Sequence, residues 1–173
     1  MPRKPRVTQA GFHHIINRGV AREKVFLDKK DKDYFMDIVD EISISYDFTL
    51  HSYILMDNHY HFIIENKREN LSDGMRQINS KYAQYFNKRY NRVGHLWQDR
   101  YKSYYITSEI YLYSLFKYIE YNPIKANLVE DVGVYYRSFE YDVKNNQLPR
   151  CSLSSLVSNT TNTKNQPLPL IFS

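Results

Sequence analysis

The chain has 173 residues, with 24 Lys plus Arg against 19 Asp plus Glu and a net charge of +5. That length suits one domain with a core large enough to fold unaided, and a single cysteine, Cys151, excludes a disulfide framework and fits a reducing compartment. No run approaches the ~18 apolar residues of a membrane span, and Met1–Arg6 leads into no signal-like stretch, so a cytoplasmic protein is expected.

Met1–Arg6 has two prolines and reads as a basic arm. Phe12–Asn17 reads as a strand that Arg18-Gly19 ends. Asp28–Tyr46 reads as a helix: Asp28 suits the N-cap, and Tyr34, Phe35, Ile38, Val39 and Ile42 recur at helical spacing. Phe48–Met56 and His59–Glu65 are β-rich runs joined by Asp57-Asn58, the signature of a hairpin. A second helix runs from Leu71 to about Tyr90, with Leu71, Met75, Ile78, Tyr82, Tyr85 and Phe86 on one broad apolar side. Tyr101–Ile106 is a further strand, and Ser108–Asn122 a third helix that Pro123 should stop. This order indicates an α+β domain, with helices packed on one face of an antiparallel sheet. From Asn145 the texture turns to Ser, Thr, Asn and Pro. A domain over 1–145 and a flexible tail over 146–173 are expected.

In the strand His59-Tyr60-His61-Phe62-Ile63-Ile64, successive side chains point to opposite faces. Tyr60, Phe62 and Ile64 suit packing on the helices, while His59 and His61 share the other face. Two imidazoles so placed can grip one divalent ion, or can be two half-exposed histidines beside a turn. In the third helix Leu112, Leu115, Phe116 and Ile119 form a narrow apolar stripe. Tyr111, Tyr118 and Asn122 lie together on a flank roughly 90° from it. Taken singly, these are a boundary tyrosine and a helix-ending asparagine. Taken with the histidines, they fit phosphodiester chemistry: a metal held by two His and an amide oxygen neutralises phosphate charge. Tyrosine is a suitable nucleophile, because a phenolate leaves readily and keeps the covalent link reversible.

At this point the sequence resembles the single-tyrosine HUH transposases, in the branch of REP-associated tyrosine transposases and their small insertion-sequence relatives. The matching segments are Asn17-Arg18-Gly19, Tyr53–Phe62 with its His-hydrophobic-His signature, Leu71–Met75, Asn79–Asn87, Gly94–Ser103 and Tyr118–Val129. They run in family order over about residues 5–140. The resemblance implies a ferredoxin-like HUH endonuclease fold and cleavage of single-stranded DNA beside a hairpin, in DNA transposition. It makes Tyr118 the nucleophile that becomes linked to a 5′ phosphate, His59 and His61 ligands of Mg²⁺ or Mn²⁺, and Asn122 the third-ligand position. Relatives often carry Gln there, one methylene longer.

The expected partner is single-stranded or hairpin DNA. The chain holds 17 Tyr, 9 Phe and 1 Trp, an abundance that serves base stacking as well as core packing. Between Arg76 and Lys102 there are seven Lys or Arg and one acid, with aromatics interleaved. From that stretch Lys81, Lys88, Arg89, Arg92, Arg100 and Lys102 are expected on the DNA backbone, and Arg3, Lys4 and Arg6 of the arm on phosphates of a stem. A monomer and a homodimer both fit the sequence. So do two rival functions: a domesticated processor of repeated genomic hairpins, and a binding domain without catalysis. Association with the nucleoid follows wherever DNA is bound.

Overall fold

The computed structural model describes residues 8–152. Four strands, β1 (Gly11–Arg18), β2 (Phe48–Met56), β3 (His59–Asn66) and β4 (Lys102–Ile106), form one antiparallel sheet in the order β2-β3-β1-β4. Read from the other edge, this is the 4-1-3-2 order of a ferredoxin-like domain. Helix α1 (Lys29–Tyr46) joins β1 to β2 across β3, and α2 (Leu71–Arg89) joins β3 to β4 across β1. Right-handed crossovers of this kind place both helices on the same face.

The local signals hold. Asp28 caps α1 by accepting from the Asp31 N–H at 3.0 Å, and Ser108 caps α3 (Glu109–Glu120) by accepting from the Tyr111 N–H at 3.4 Å. Phe35, Ile38, Val39 and Ile42 of α1 are buried against Leu71, Met75, Ile78, Tyr82 and Phe86 of α2 and Tyr60, Phe62 and Ile64 of β3. Tyr34 departs from the expected stripe: it is exposed, its ring stacked on Tyr85 at 3.9 Å. Gly19, just past β1, is required by close approach, since a Cβ there would collide with the Glu23 carbonyl.

Three features differ from expectation. Helices do not cover one face only: α3 packs on the opposite face, where Leu115 and Ile119 meet Ile54, Met56, Ile63 and Ile106. Pro123 does not simply stop the third helix. It sits in the first turn of α4 (Asn122–Lys125), where its missing N–H costs nothing, so the chain turns at Tyr121 and begins again. Finally, the chain expected to be tail docks onto the domain as far as Ser152. Cys151 is buried in the main core, its N–H donates to Asp40 Oδ1 at 2.8 Å, and Arg150 pairs with Asp40 at 2.9 Å. The remainder of that tail, like Arg3, Lys4 and Arg6, lies outside the described residues.

A short helix, α5 (Phe139–Lys144), had no sequence reading. It is fastened by Asp142, which accepts from Tyr53 and from Arg137, while Arg137 also pairs with Asp33 at 2.7 Å. The Leu55 N–H donates to the Arg137 carbonyl, so residues 137–138 shield the β2 edge. Among the described residues no helix is long and apolar enough to cross a membrane.

Candidate active site

Strand alternation and register place the site. His59 and His61 project from β3 away from α1 and α2, into the layer that α3 covers. The two-residue turn Asp57-Asn58 puts His59 at the start of β3, opposite Met56, and His61 opposite Ile54. Their rings converge, with centroids 5.1 Å apart and planes at 82°. His61 is largely shut off from solvent, at only 4% exposed.

Helix α3 brings Tyr118 to the pair. Its apolar stripe faces the sheet, and Tyr118, on the flank, sets its ring edge-on to His61 at 5.7 Å while 43% of the residue stays exposed. One turn on, the Asn122 side chain shares a hydrogen bond with His59. The turn at Tyr121 also carries Lys125 back, with its ammonium 5.1 Å from the centre of the Tyr118 ring. Tyr111, Tyr113 and Tyr121 are exposed as well, on or beside the same helix.

A third histidine belongs to the group, and sequence reasoning missed it. His14 of β1 lies opposite Ile63, diagonal to His61 on the same face. Its Nε2 is 3.0 Å from His61 Nδ1. Burial lowers the pKa of His14 to about 4 and that of His61 to about 3, His61 being depressed further by its two imidazole neighbours. His59 is also lowered by burial, an effect opposed by the bond with Asn122 and reinforced by Arg18, its partner across β1. All three rings are therefore neutral near pH 7, the state a metal ligand needs.

The donor set fits a divalent ion. Asn58 Oδ1 lies 2.6 Å from His59 Nδ1. An amide oxygen only accepts, so that nitrogen carries the proton and His59 Nε2 keeps a lone pair. His61 is bonded through Nδ1 to His14, and its Nε2 is the ring nitrogen outside that bond. With the Asn122 amide beside His59, these are nitrogen and oxygen donors of the type Mn²⁺ accepts and Mg²⁺ accepts less readily. Among the described residues no group of three or more His, Cys, Asp or Glu is placed to hold a metal ion, so the candidate donors are two imidazoles and one amide.

The expected basic strip divides. Lys81 is paired with Glu41 at 2.8 Å, Arg92 with Glu23 at 3.1 Å, and Arg89 with Asp28 and the buried Asp31. These three brace the fold. Lys88, Arg100 and Lys102 are exposed. Lys102 stands in register with Ile16 and, through it, with His61, on the α3 face. Arg18 and Lys125, which sequence reasoning did not select, add positive charge around the same site. A groove of about 920 Å³ lies elsewhere, between α2 and residues 94–101, lined in part by Arg76, Asn79, Gln98 and Arg100.

Residues 8–122 match the family model described as transposase, IS200 like. Among solved structures the chain is similar to a REP-associated tyrosine transposase bound to a REP hairpin, with 19% identity, 86% of this chain and 89% of that chain covered, and a TM-score of 0.67. It is also similar to a transposase candidate from Deinococcus radiodurans, with 19% identity, 69% of this chain and 96% of that chain covered, and a TM-score of 0.48. At this identity the first likeness establishes the fold. No curated protein matches the chain closely enough to count as a relative.

Proposed function

The chain belongs to the IS200-like transposase family, and on that premise we propose that it cleaves and rejoins single-stranded DNA beside a hairpin through a covalent 5′-phosphotyrosine at Tyr118. The observation that carries this reading is the placement of an exposed phenol edge-on to His61, within a turn of an amide that touches the other histidine.

Each residue has a task. Tyr118 attacks phosphorus: a bond forms from its phenolic oxygen, the P–O3′ bond breaks, the phenol proton is lost and the departing 3′ oxygen takes one up. The packing of Tyr118 on His61 and under Lys125 limits where that oxygen can go, which is the orientation a displacement in line requires. Lys125, Arg18 and Lys102 bring positive charge to the phosphates on either side of the reacting one. His59, His61 and Asn122 would hold Mg²⁺ or Mn²⁺, which when bound supplies Lewis-acid stabilisation of non-bridging phosphate oxygens. Rejoining runs the displacement in reverse, with a 3′ hydroxyl attacking the phosphotyrosine. Bond energy is kept in that link, which suits strand transfer better than hydrolysis.

A hairpin is the proposed substrate because a transposase of the same fold is bound to one in its own structure. The test is incubation with a labelled hairpin oligonucleotide carrying a single-stranded flank and Mn²⁺, followed by denaturing electrophoresis. A protein–DNA adduct that Tyr118→Phe abolishes, and that Tyr111→Phe and Tyr113→Phe leave in place, is the expected result. An adduct undiminished in Tyr118→Phe would overturn the assignment.

A further inference from the structure

His14 lies outside every segment that carried the family resemblance, and nothing in the site described above gives it a task. It is buried, it stands one strand away from His61, and its ring packs nearly parallel to that of His61, with centroids 5.2 Å apart and planes at 17°. The contact is a single hydrogen bond, His14 Nε2 to His61 Nδ1 at 3.0 Å. Either ring could in principle be the donor, and the two choices have opposite consequences. If His14 donates, the proton of neutral His61 sits on Nε2, and His61 has no lone pair for an ion. If His61 donates, its Nε2 is free.

The other histidine shows which arrangement the site is built for. His59 has its Nδ1 proton tied down by Asn58 Oδ1 at 2.6 Å, which puts the ring's lone pair on Nε2. At the corresponding position of His61 the partner is the His14 ring instead of an amide oxygen. We propose that His14 is the positioning residue of the site: held as the Nδ1–H tautomer, it accepts from His61 Nδ1–H and so keeps His61 Nε2 unprotonated and aimed at the ion. Ligand histidines are commonly oriented by a bond to their second nitrogen, and the partner is usually a carboxylate, a carbonyl or water. Here a neutral imidazole does it, with no added negative charge in a buried layer. His13, the next residue along, makes a useful contrast. It points to the opposite face and spends both ring nitrogens locally, on Ser103 Oγ at 3.0 Å and the Gln9 carbonyl at 2.7 Å.

This inference rests on the reading of His61 as a metal ligand, and the experiment separates the two. Long-range ¹⁵N–¹H spectra of the metal-free protein, labelled at histidine, distinguish the unprotonated ring nitrogen from the protonated one by its downfield shift. His61 is expected as the Nδ1–H tautomer in the wild type, and an Nε2–H His61 would overturn the proposal. In His14→Phe, which keeps a flat ring but no acceptor, His61 should lose that preference, and Mn²⁺ affinity measured by calorimetry should fall about 10–100-fold. His14→Gln, whose amide oxygen can accept at a similar reach, should restore both. If His14→Phe binds Mn²⁺ like the wild type with the tautomer unchanged, while His61→Ala does not bind, the role of His14 is wrong and the ligand assignment stands. If His61→Ala binds Mn²⁺ as the wild type does, or the wild type does not bind it, both fall together.

Discussion

The two faces of the sheet are built on opposite principles. On the α1/α2 face, Phe35 touches Phe26, Tyr60, Phe62 and Tyr82, and the polar side chains around Asn79 bond to one another or to backbone carbonyls. Asn79 Oδ1 accepts from Asn17 and Tyr60, Asn79 Nδ2 donates to the Met75 carbonyl, and the Tyr82 hydroxyl donates to the Val25 carbonyl. On the α3 face the apolar cluster is small, and beside it stand His59 and His61, whose Nε2 atoms are the proposed ligand atoms, and a Glu120 carboxyl whose pKa burial and the nearby Glu140 push up to about 8. One face holds the molecule together. The other carries the polar groups of the proposed site, which the uptake of an ion and a phosphate would complete.

The largest effect that could break this contrast is thermodynamic. Phe35→Ala should cost about 3–5 kcal/mol by removing a ring from the large core. Leu115→Ala, in the small cluster, should fall near the bottom of the roughly 2–5 kcal/mol range for such truncations. Denaturant unfolding of both variants measures the difference, and equal losses would mean that α3 is as much a part of the stabilising core as α1.

The next effect is on pH dependence. His14 and His61 have folded pKa values of about 4 and about 3, below the ~6.5 of an unfolded histidine. The unfolded chain therefore binds more protons in that window. Stability is fully present above about pH 6.5 and declines as pH falls toward 4, by up to roughly 1.4 kcal/mol per pH unit for each imidazole. His13, lowered by burial against the bond to Gln9, adds in the same direction. A His14→Gln, His61→Gln double variant should flatten the decline without removing it. A decline of unchanged steepness would place its origin away from the α3 face.

The smallest effect sharpens the division among the basic residues. Replacing Arg18, Lys102 and Lys125 with Gln should flatten the dependence of log DNA affinity on log salt, by about one unit for each phosphate that no longer meets a cation. Replacing Lys81, Arg89 and Arg92, already paired with acids, should change the slope less and the stability more. The reverse ranking would move the DNA onto the α2 side, where the groove beside Arg76 and Arg100 lies.

Much of this was legible in the sequence because its signals are local. The Asp28 cap, the Asp57-Asn58 turn and the helical stripes each lie within a few residues, and alternation alone put His59 and His61 together on one side of β3. What escaped depended on contacts between distant segments. His14 becomes a neighbour of His61 only once the β1–β3 register is known. Helix α3 looks, by periodicity, able to pack on either face. Helix α5 has too few residues for a period, and it is secured by Tyr53 and Arg137 rather than by its own pattern. Arg89 looks like a DNA contact by charge alone, and only the fold brings Asp28 and Asp31 against it.

The claim on which the account turns is that the nucleophile comes from the α3 flank. The most direct measurement is to trap the adduct formed with a hairpin oligonucleotide, digest both protein and DNA, and locate the nucleotide-bearing residue by mass spectrometry. The account predicts a single modified residue, Tyr118, with the remnant attached through a 5′ phosphate. A nucleotide found on Tyr111, Tyr113 or Tyr121, or attached through a 3′ phosphate, would contradict it.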